Sequence, residues 1–403
     1  MDLDLDKPNF ELYGSEFKPL LEYLHAGWLS QLSDIHFVAG AMPGLRMARS
    51  YRDLESVASV SEASDILSKP VNQQFFEQVW AGLLRLGKLP SGAVPGATYL
   101  RFTLDFGRFW RARISLLPYS FGMGNKSTGN QFILESRILP HTPFSWEDLP
   151  YPQSFFEQIT QSPTGIILVG GLAGSGRSST IASLLIHCAS HFQGMSVATL
   201  ESPVEFVIQP YSLGRSRAVQ TEVPMTQDAW AQALEVFSGL DVNLAVLSEV
   251  YPFLPTGKTL SLADSVMAMA SNGRLVLSAI QGTSFYDVWH RFTFRPNASE
   301  CRLAQELAIH QLNAILVQQI VTRVDGNIVL PELHCGCMVF TPDFRSQILK
   351  HLVAGDNRAI RDAFVRLETD DTQHGNMSFL TSLNRLVGCG IIPSTLNLGS
   401  VRM

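Results

Sequence analysis

Charge is scarce in this chain: Lys, Arg, Asp and Glu make up only 16% of its 403 residues, and 36 acidic side chains outnumber 30 basic ones, for a formal net charge of −6. A nucleic-acid binder driven by phosphate neutralisation needs a basic excess, so direct nucleic-acid binding is not expected. Long apolar runs are missing too. None reaches the ~20 residues that cross a bilayer, and the opening Met1-Asp2-Leu3-Asp4-Leu5-Asp6-Lys7 is acidic where a signal peptide is basic and then apolar. The five cysteines (Cys188, Cys301, Cys335, Cys337, Cys389) are odd in number and scattered, which excludes a disulfide framework and fits reduced thiols in a cytosol. His334-Cys335-Gly336-Cys337 lacks a second ligand pair at zinc spacing and reads as core or loop. There is no internal repeat and no low-complexity tract. What the chain does have is apolar bulk: 46% of it is hydrophobic, enough to fill two domains and leave room for a small third.

The first 15 residues read as a polar leader of a first domain running to Pro140. Asp34-Ile35-His36-Phe37-Val38 reads as a strand with its polar residues on one side. Thr98–Leu104 and Phe109–Leu116 read as two paired strands around Asp105-Phe106-Gly107. Gly122–Gly129 is a Gly/Ser-rich loop, and Glu135–Pro140 closes the unit. Residues 141–151, with Pro143 and Pro150, read as a linker. Over 152–340 the pattern becomes strand and helix in alternation, which predicts a parallel sheet covered by helices. Gly165–Gly170, Met195–Leu200, Asn243–Leu247 and Arg274–Ile280 are apolar and rich in β-branched residues, as strands buried on both faces are. A helix is expected over Ser178–His191. Residues 341–403 read as a helical region, with helices over Phe344–Leu352, Arg358–Leu367 and Phe379–Val387.

Residues Gly171-Leu172-Ala173-Gly174-Ser175-Gly176-Arg177-Ser178, followed by Ser179, come close to the phosphate-binding pattern G-x-x-x-x-G-K-[ST]. In that pattern backbone N–H groups wrap a phosphate chain, a lysine serves the β- and γ-phosphates, and a hydroxyl meets Mg²⁺. Here Arg177 stands at the lysine position. Ligands of open α/β sheets bind at the carboxyl ends of the strands. The first predicted strand ends in this loop, the second in Glu201, the third in Ser248-Glu249 and the fourth in Gln281, so all four are expected on one rim. A purely structural glycine turn would account for the loop alone. Surface pairing would account for Glu205, and for Arg111 and Arg113, which alternate on one strand face, as well as for Arg137.

These residues resemble the PilT-like secretion ATPases, a family of ring-forming motors that includes DotB-type ATPases. Ser33-Asp34-Ile35-His36-Phe37 is similar to the family's opening strand, and Ser136-Arg137-Ile138-Leu139-Pro140 to its "FRxIP" segment. Leu200-Glu201-Ser202-Pro203-Val204-Glu205-Phe206 is similar to its acidic box and Leu244–Glu249 to its Walker B strand. Asn272–Val276 with Gln281 resembles its histidine box, and Gln318–Gly326 its "QQLLPRxDG". The resemblance implies an N-terminal PAS-like α+β domain, a RecA-like phosphate-loop ATPase domain and a C-terminal helical tail. It also implies a hexamer that binds ATP and Mg²⁺, is cytoplasmic, and sits at the inner membrane through components of a secretion, conjugation or pilus apparatus. By the same resemblance Glu201 positions the attacking water, Glu249 and Ser178 hold the ion, and Arg111, Arg113 and Arg137 supply cations.

The chain departs from this family at charged positions. Arg177 replaces a lysine and Gln281 a histidine. Thr221, Glu235 and Gly239 stand where the family has arginines, and Val250-Tyr251-Pro252 follows Glu249 in place of "MRD". Glutamine can orient water but carries no proton. A guanidinium keeps the charge of an ammonium but not its compactness. Two readings stand at this point: a motor subunit that hydrolyses ATP slowly, or a degenerate, non-catalytic ring subunit.

Overall fold

The computed structural model describes residues 15–29, 34–38, 43–47, 50–52, 68–86, 89, 93–94, 100–105, 110–119, 131–140, 143–208, 213–224, 226–250, 262–325, 328–369 and 376–389. The expected loop at 122–129 and most of the leader lie outside them. The chain forms two units. The first is Met1–Thr142 with Pro203–Val207 and Val324–Leu330; the second is Pro143–Ser202 with Ile208–Arg323 and Pro331–Met403.

The first unit contains α1 (Lys18–Leu29), β1 (Asp34–Phe37), β2 (Gly44–Met47), β3 (Ser50–Arg52), α2 (Gln73–Arg85), β4 (Leu100–Asp105), β5 (Trp110–Tyr119) and β6 (Gln131–Pro140). The strands form an antiparallel sheet in the order β3-β2-β1-β6-β5-β4. Helix α2 starts where the Asn72 side chain accepts the Phe75 N–H at 3.0 Å. It buries Phe75, Phe76, Val79 and Leu83, a helical spacing that gives it one apolar face. That face meets Phe17, Leu20, Leu21 and Leu24, together with Ile35 and Phe37 of β1 and Ala112, Ile114 and Leu116 of β5. Strand periodicity puts Arg111 and Arg113 on the opposite face of β5.

The second unit continues with α3 (Gln153–Ile159), β7 (Gly165–Gly171), α4 (Arg177–Phe192), β8 (Ser196–Glu201), β9 (Arg217–Glu222), α5 (Gln227–Gly239), β10 (Leu244–Leu247), α6 (Leu262–Ser271), β11 (Leu275–Ile280), α7 (Phe285–Thr293), α8 (Ala298–Gln311), β12 (Leu312–Asp325), β13 (Ile328–Val339), α9 (Pro342–Ala354), α10 (Asn357–Thr369) and α11 (Phe379–Gly388). Its sheet has the order β13-β12-β7-β11-β10-β8-β9. Strands β12, β7, β11, β10, β8 and β9 pair in parallel. Every residue of β7, β10 and β11 is buried, as expected for strands covered by helices on both faces.

Three expectations about organisation change. The stretch read as a linker is largely packed within the second unit: Trp146 is buried and stacks on Tyr151 at a centroid distance of 5.4 Å. Aromatic burial outweighs the proline signal there. The C-terminal helices are not a separate region, because Phe344, Ile348, Leu352, Ile360 and Phe364 share one core with residues of β7, β8, β10, β11 and β12. Finally, Pro203–Val207 and Val324–Leu330 belong to the first unit although they lie far along the chain from it.

Candidate functional site

Strands β7, β11, β10 and β8 are neighbours, run the same way, and end on one edge of the sheet. The Gly171–Ser178 loop follows β7, Gln281 follows β11, Ser248-Glu249 follows β10, and Glu201 ends β8. The rim expected from the sequence is therefore assembled, with the acidic residues on the two strands beyond Gln281. Gln281 is exposed.

The loop turns through Gly174 at φ 75° and Gly176 at φ 86°, left-handed values that glycine adopts without a Cβ penalty. A Cβ on Gly171 would stand 2.2 Å from Ser175 Oγ, so the loop closes too tightly there for a side chain. Gly176 caps α4 and Arg177 opens it. The first-turn N–H groups of a helix have no intrahelical acceptor and carry the positive end of the helix dipole, so this end suits an anion. Leu172, Ala173, Gly174 and Ser178 are exposed, and Ser179 is half-buried with its carbonyl accepting from Ser183 Oγ at 2.9 Å. Ser175 Oγ is buried and has no hydrogen-bond partner among the described residues.

Gln318 of β12, the first residue of the Gln318–Gly326 segment, holds the loop in shape. Its Nε2 donates to the Ser175 carbonyl at 2.7 Å. Its Oε1 accepts from Thr180 Oγ1 at 2.8 Å and from Tyr151 Oη at 2.9 Å. Burial pushes the Tyr151 phenol well above its ordinary range, which keeps it a donor. A polar residue ending the buried run Ala314–Val317 was the available sign of this role.

The two acids have different neighbours. Glu201 Oε1 accepts from Thr199 Oγ1 at 2.7 Å and from Gln220 Nε2 at 3.1 Å. Glu249 Oε1 accepts from Arg177 Nη1 at 2.7 Å, with the two side chains 21% and 11% exposed. This charge-assisted bond lies in the short range expected of an ion pair. It engages the residue at the loop's lysine position and the residue expected to hold a metal. With a guanidinium seated on one carboxylate oxygen, Glu249 does not fit the shell of a divalent cation in this arrangement.

The three arginines of the first unit each have partners within that unit. Arg111 donates to the Val204 carbonyl at 3.0 Å and to Thr103 Oγ1 at 2.9 Å. Arg113 pairs with Glu205. Arg137 pairs with buried Asp34 at 2.7 Å, and that neighbour raises the guanidinium pKa despite the opposing effect of burial. Thr221 on β9 and Glu235 and Gly239 on α5 are exposed. His334, Cys335 and Cys337 are buried; His334 Nδ1 lies 3.1 Å from Ser382 Oγ, and burial pushes the Cys335 thiol up to about 12. No helix among the described residues is long and apolar enough to cross a membrane.

No family model matches the chain. It is 29% identical over 191 residues to a twitching motility protein of Neisseria gonorrhoeae, covering 47% of this chain and 48% of that one. It is 24% identical over 237 residues to the type IV pilus retraction ATPase PilT of Pseudomonas aeruginosa, covering 59% and 63%. The matched stretch thus spans about half to three-fifths of these relatives. The fold is similar to that of the Legionella pneumophila ATPase DotB, with TM-score 0.66 and 16% identity over 94% of this chain and 95% of that one. It is also similar to the pilus retraction motor PilT solved with bound ADP, with TM-score 0.64 and 19% identity over 93% and 94%.

Proposed function

We propose, for a chain that belongs with the PilT/DotB-like secretion ATPases, that it binds ATP at the Gly171–Ser179 loop and hydrolyses it slowly as a subunit of a hexameric ring. The ring serves a type IV secretion, conjugative transfer or pilus machine from the cytoplasmic side, held at the inner membrane by that machine's components. The rim of strand ends supports the nucleotide site, since backbone N–H groups at the start of α4 suit the phosphates and Glu201 stands at the same edge. In this reading Glu201, fixed by Thr199 and Gln220, orients the attacking water, and Gln281 adds a neutral hydrogen-bonding group. Glu249, paired with Arg177, takes no part in orienting the water.

The observation that carries slow turnover is the Arg177–Glu249 contact. A cation that serves a carboxylate is less available to the charge developing on a transferring phosphoryl group. Losing one well-placed transition-state donor costs on the order of 10²–10³ in rate. Turnover of ATP by the wild type beside Arg177→Lys tests this: the lysine protein is expected to be at least about tenfold faster. Equal, rapid turnover in both would end the slow reading, and no nucleotide binding by either would end the nucleotide reading. A second reading, a ring subunit without catalysis, is favoured by the further loss of cations at Thr221, Glu235 and Gly239. Nucleotide bound by both proteins but turned over by neither would select it.

A further inference from the structure

Among the described residues, the contact between Arg177 and Glu249 has a second meaning, which rests on the nucleotide-binding reading. In a metal-dependent phosphate loop, a divalent cation lies between an acid at a strand end and the phosphate oxygens. Here a permanent cation already sits on that acid, anchored in the first turn of α4 directly after the glycines that shape the loop. We propose that the Arg177 guanidinium takes the divalent cation's place, and that this chain binds nucleoside di- and triphosphates without a metal ion.

Three features carry the inference. A guanidinium does not lose its proton in a protein, so the pair cannot be relieved by neutralising the cation as a lysine pair can. It has five N–H donors in a planar fork; the bond at 2.7 Å from Nη1 to Glu249 Oε1 uses one, and the fork can present others to phosphate oxygens. Mg²⁺ demands near-ideal octahedral oxygen ligands and gives up water reluctantly. Seating it on Glu249 would require expelling the arginine or placing two positive groups side by side. Of the two groups expected to hold the ion, Ser178 and Glu249, the hydroxyl would be left, and a single neutral hydroxyl holds Mg²⁺ poorly.

The test is calorimetric titration of the full chain with ADP and with ATP, in MgCl₂ and in EDTA, on wild type and Arg177→Ala. The wild-type dissociation constant is expected to change by less than about threefold between the two buffers. Arg177→Ala is expected to weaken binding in EDTA by more than about tenfold and to recover part of it in MgCl₂, because Glu249 is then open to the ion. Wild-type binding that is lost in EDTA overturns the inference and leaves the nucleotide site standing. Wild-type binding in neither buffer overturns both. An alanine variant that binds equally in both buffers shows that the guanidinium does not replace the ion and overturns the inference, and the wild-type comparison stands even where that variant does not fold.

Discussion

Glu201 and Glu249 close neighbouring strands of one sheet, yet their surroundings differ in kind. Glu201 Oε1 accepts from a hydroxyl and an amide, both neutral. Glu249 takes one from a guanidinium that is itself nearly buried. A carboxylate held by neutral donors keeps its net charge and can act on a neighbour. A carboxylate paired with a cation has its charge largely cancelled, and each partner becomes a liability if the other is removed. Position along the rim therefore does not assign roles by itself; the partner does.

The sharpest way to break this contrast is Glu249→Leu, which strands the Arg177 charge. Breaking a buried pair costs several kcal/mol, less where water reaches the group, so a loss of about 2 kcal/mol is expected. It would be read as a lower urea midpoint with an unchanged slope, and a loss under about 0.5 kcal/mol would show that the pair is not a unit.

A third carboxylate sharpens the comparison, because its hydrogen-bond donors too are neutral. Glu368 of α10 accepts the Phe285 N–H at 2.9 Å at the start of α7, near Ser284 and the Tyr286 N–H, with Arg361 as the charged neighbour. Burial outweighs those contacts and pushes its pKa up to about 7. The folded protein thus holds this proton more tightly than the unfolded chain. The resulting stability is full below the ordinary glutamate range and is lost as pH rises through about 7. Glu368→Gln, which mimics the protonated form, should match wild type near pH 4.5 and exceed it by about 2 kcal/mol at pH 8. Identical unfolding curves for the two proteins across that range would remove the neutral-donor account of this site.

The smallest effect is expected from Glu201→Gln. The amide oxygen can still accept from Thr199 and Gln220, so the loss of stability should stay under about 0.5 kcal/mol. A loss above about 1.5 kcal/mol in thermal unfolding would mean that Glu201 also neutralises a cation, and the two acids would then be alike.

The sequence made this rim legible because β7, β8, β10 and β11 are covered on both faces and so read as unbroken apolar runs that stop at polar residues. Strand β9 escaped notice for the opposite reason: Arg217-Ala218-Val219-Gln220-Thr221-Glu222 lies at the end of the sheet order, and Val219 is 66% exposed, so no apolar pattern marks it. Strand β12 was hidden by the polar pair Gln318-Gln319, and β13 by Pro331, Glu332 and His334 within its run. The residues at the rim could be named from the sequence, but their pairings could not. Arg177 and Glu249 are 72 positions apart, and only the parallel sheet brings them within reach. The same limit applied to Arg111, Arg113 and Arg137, whose partners depend on how the first unit packs, and to the proline-bearing stretch before α3, where Trp146 and Tyr151 decide the outcome.

One amide, that of Gln318, ties together the Ser175 carbonyl, the Thr180 hydroxyl and the Tyr151 phenol. A loop tethered this way arrives at its ligand already shaped, so little conformational freedom remains to be surrendered when an anion docks. Affinity at this site then depends on the charges it presents rather than on the work of ordering the chain, and the Ser175 and Thr180 amides, which donate to the Leu172 and Gly176 carbonyls, should exchange with solvent more slowly than the first-turn amides of Arg177, Ser178 and Ser179 before any nucleotide is added.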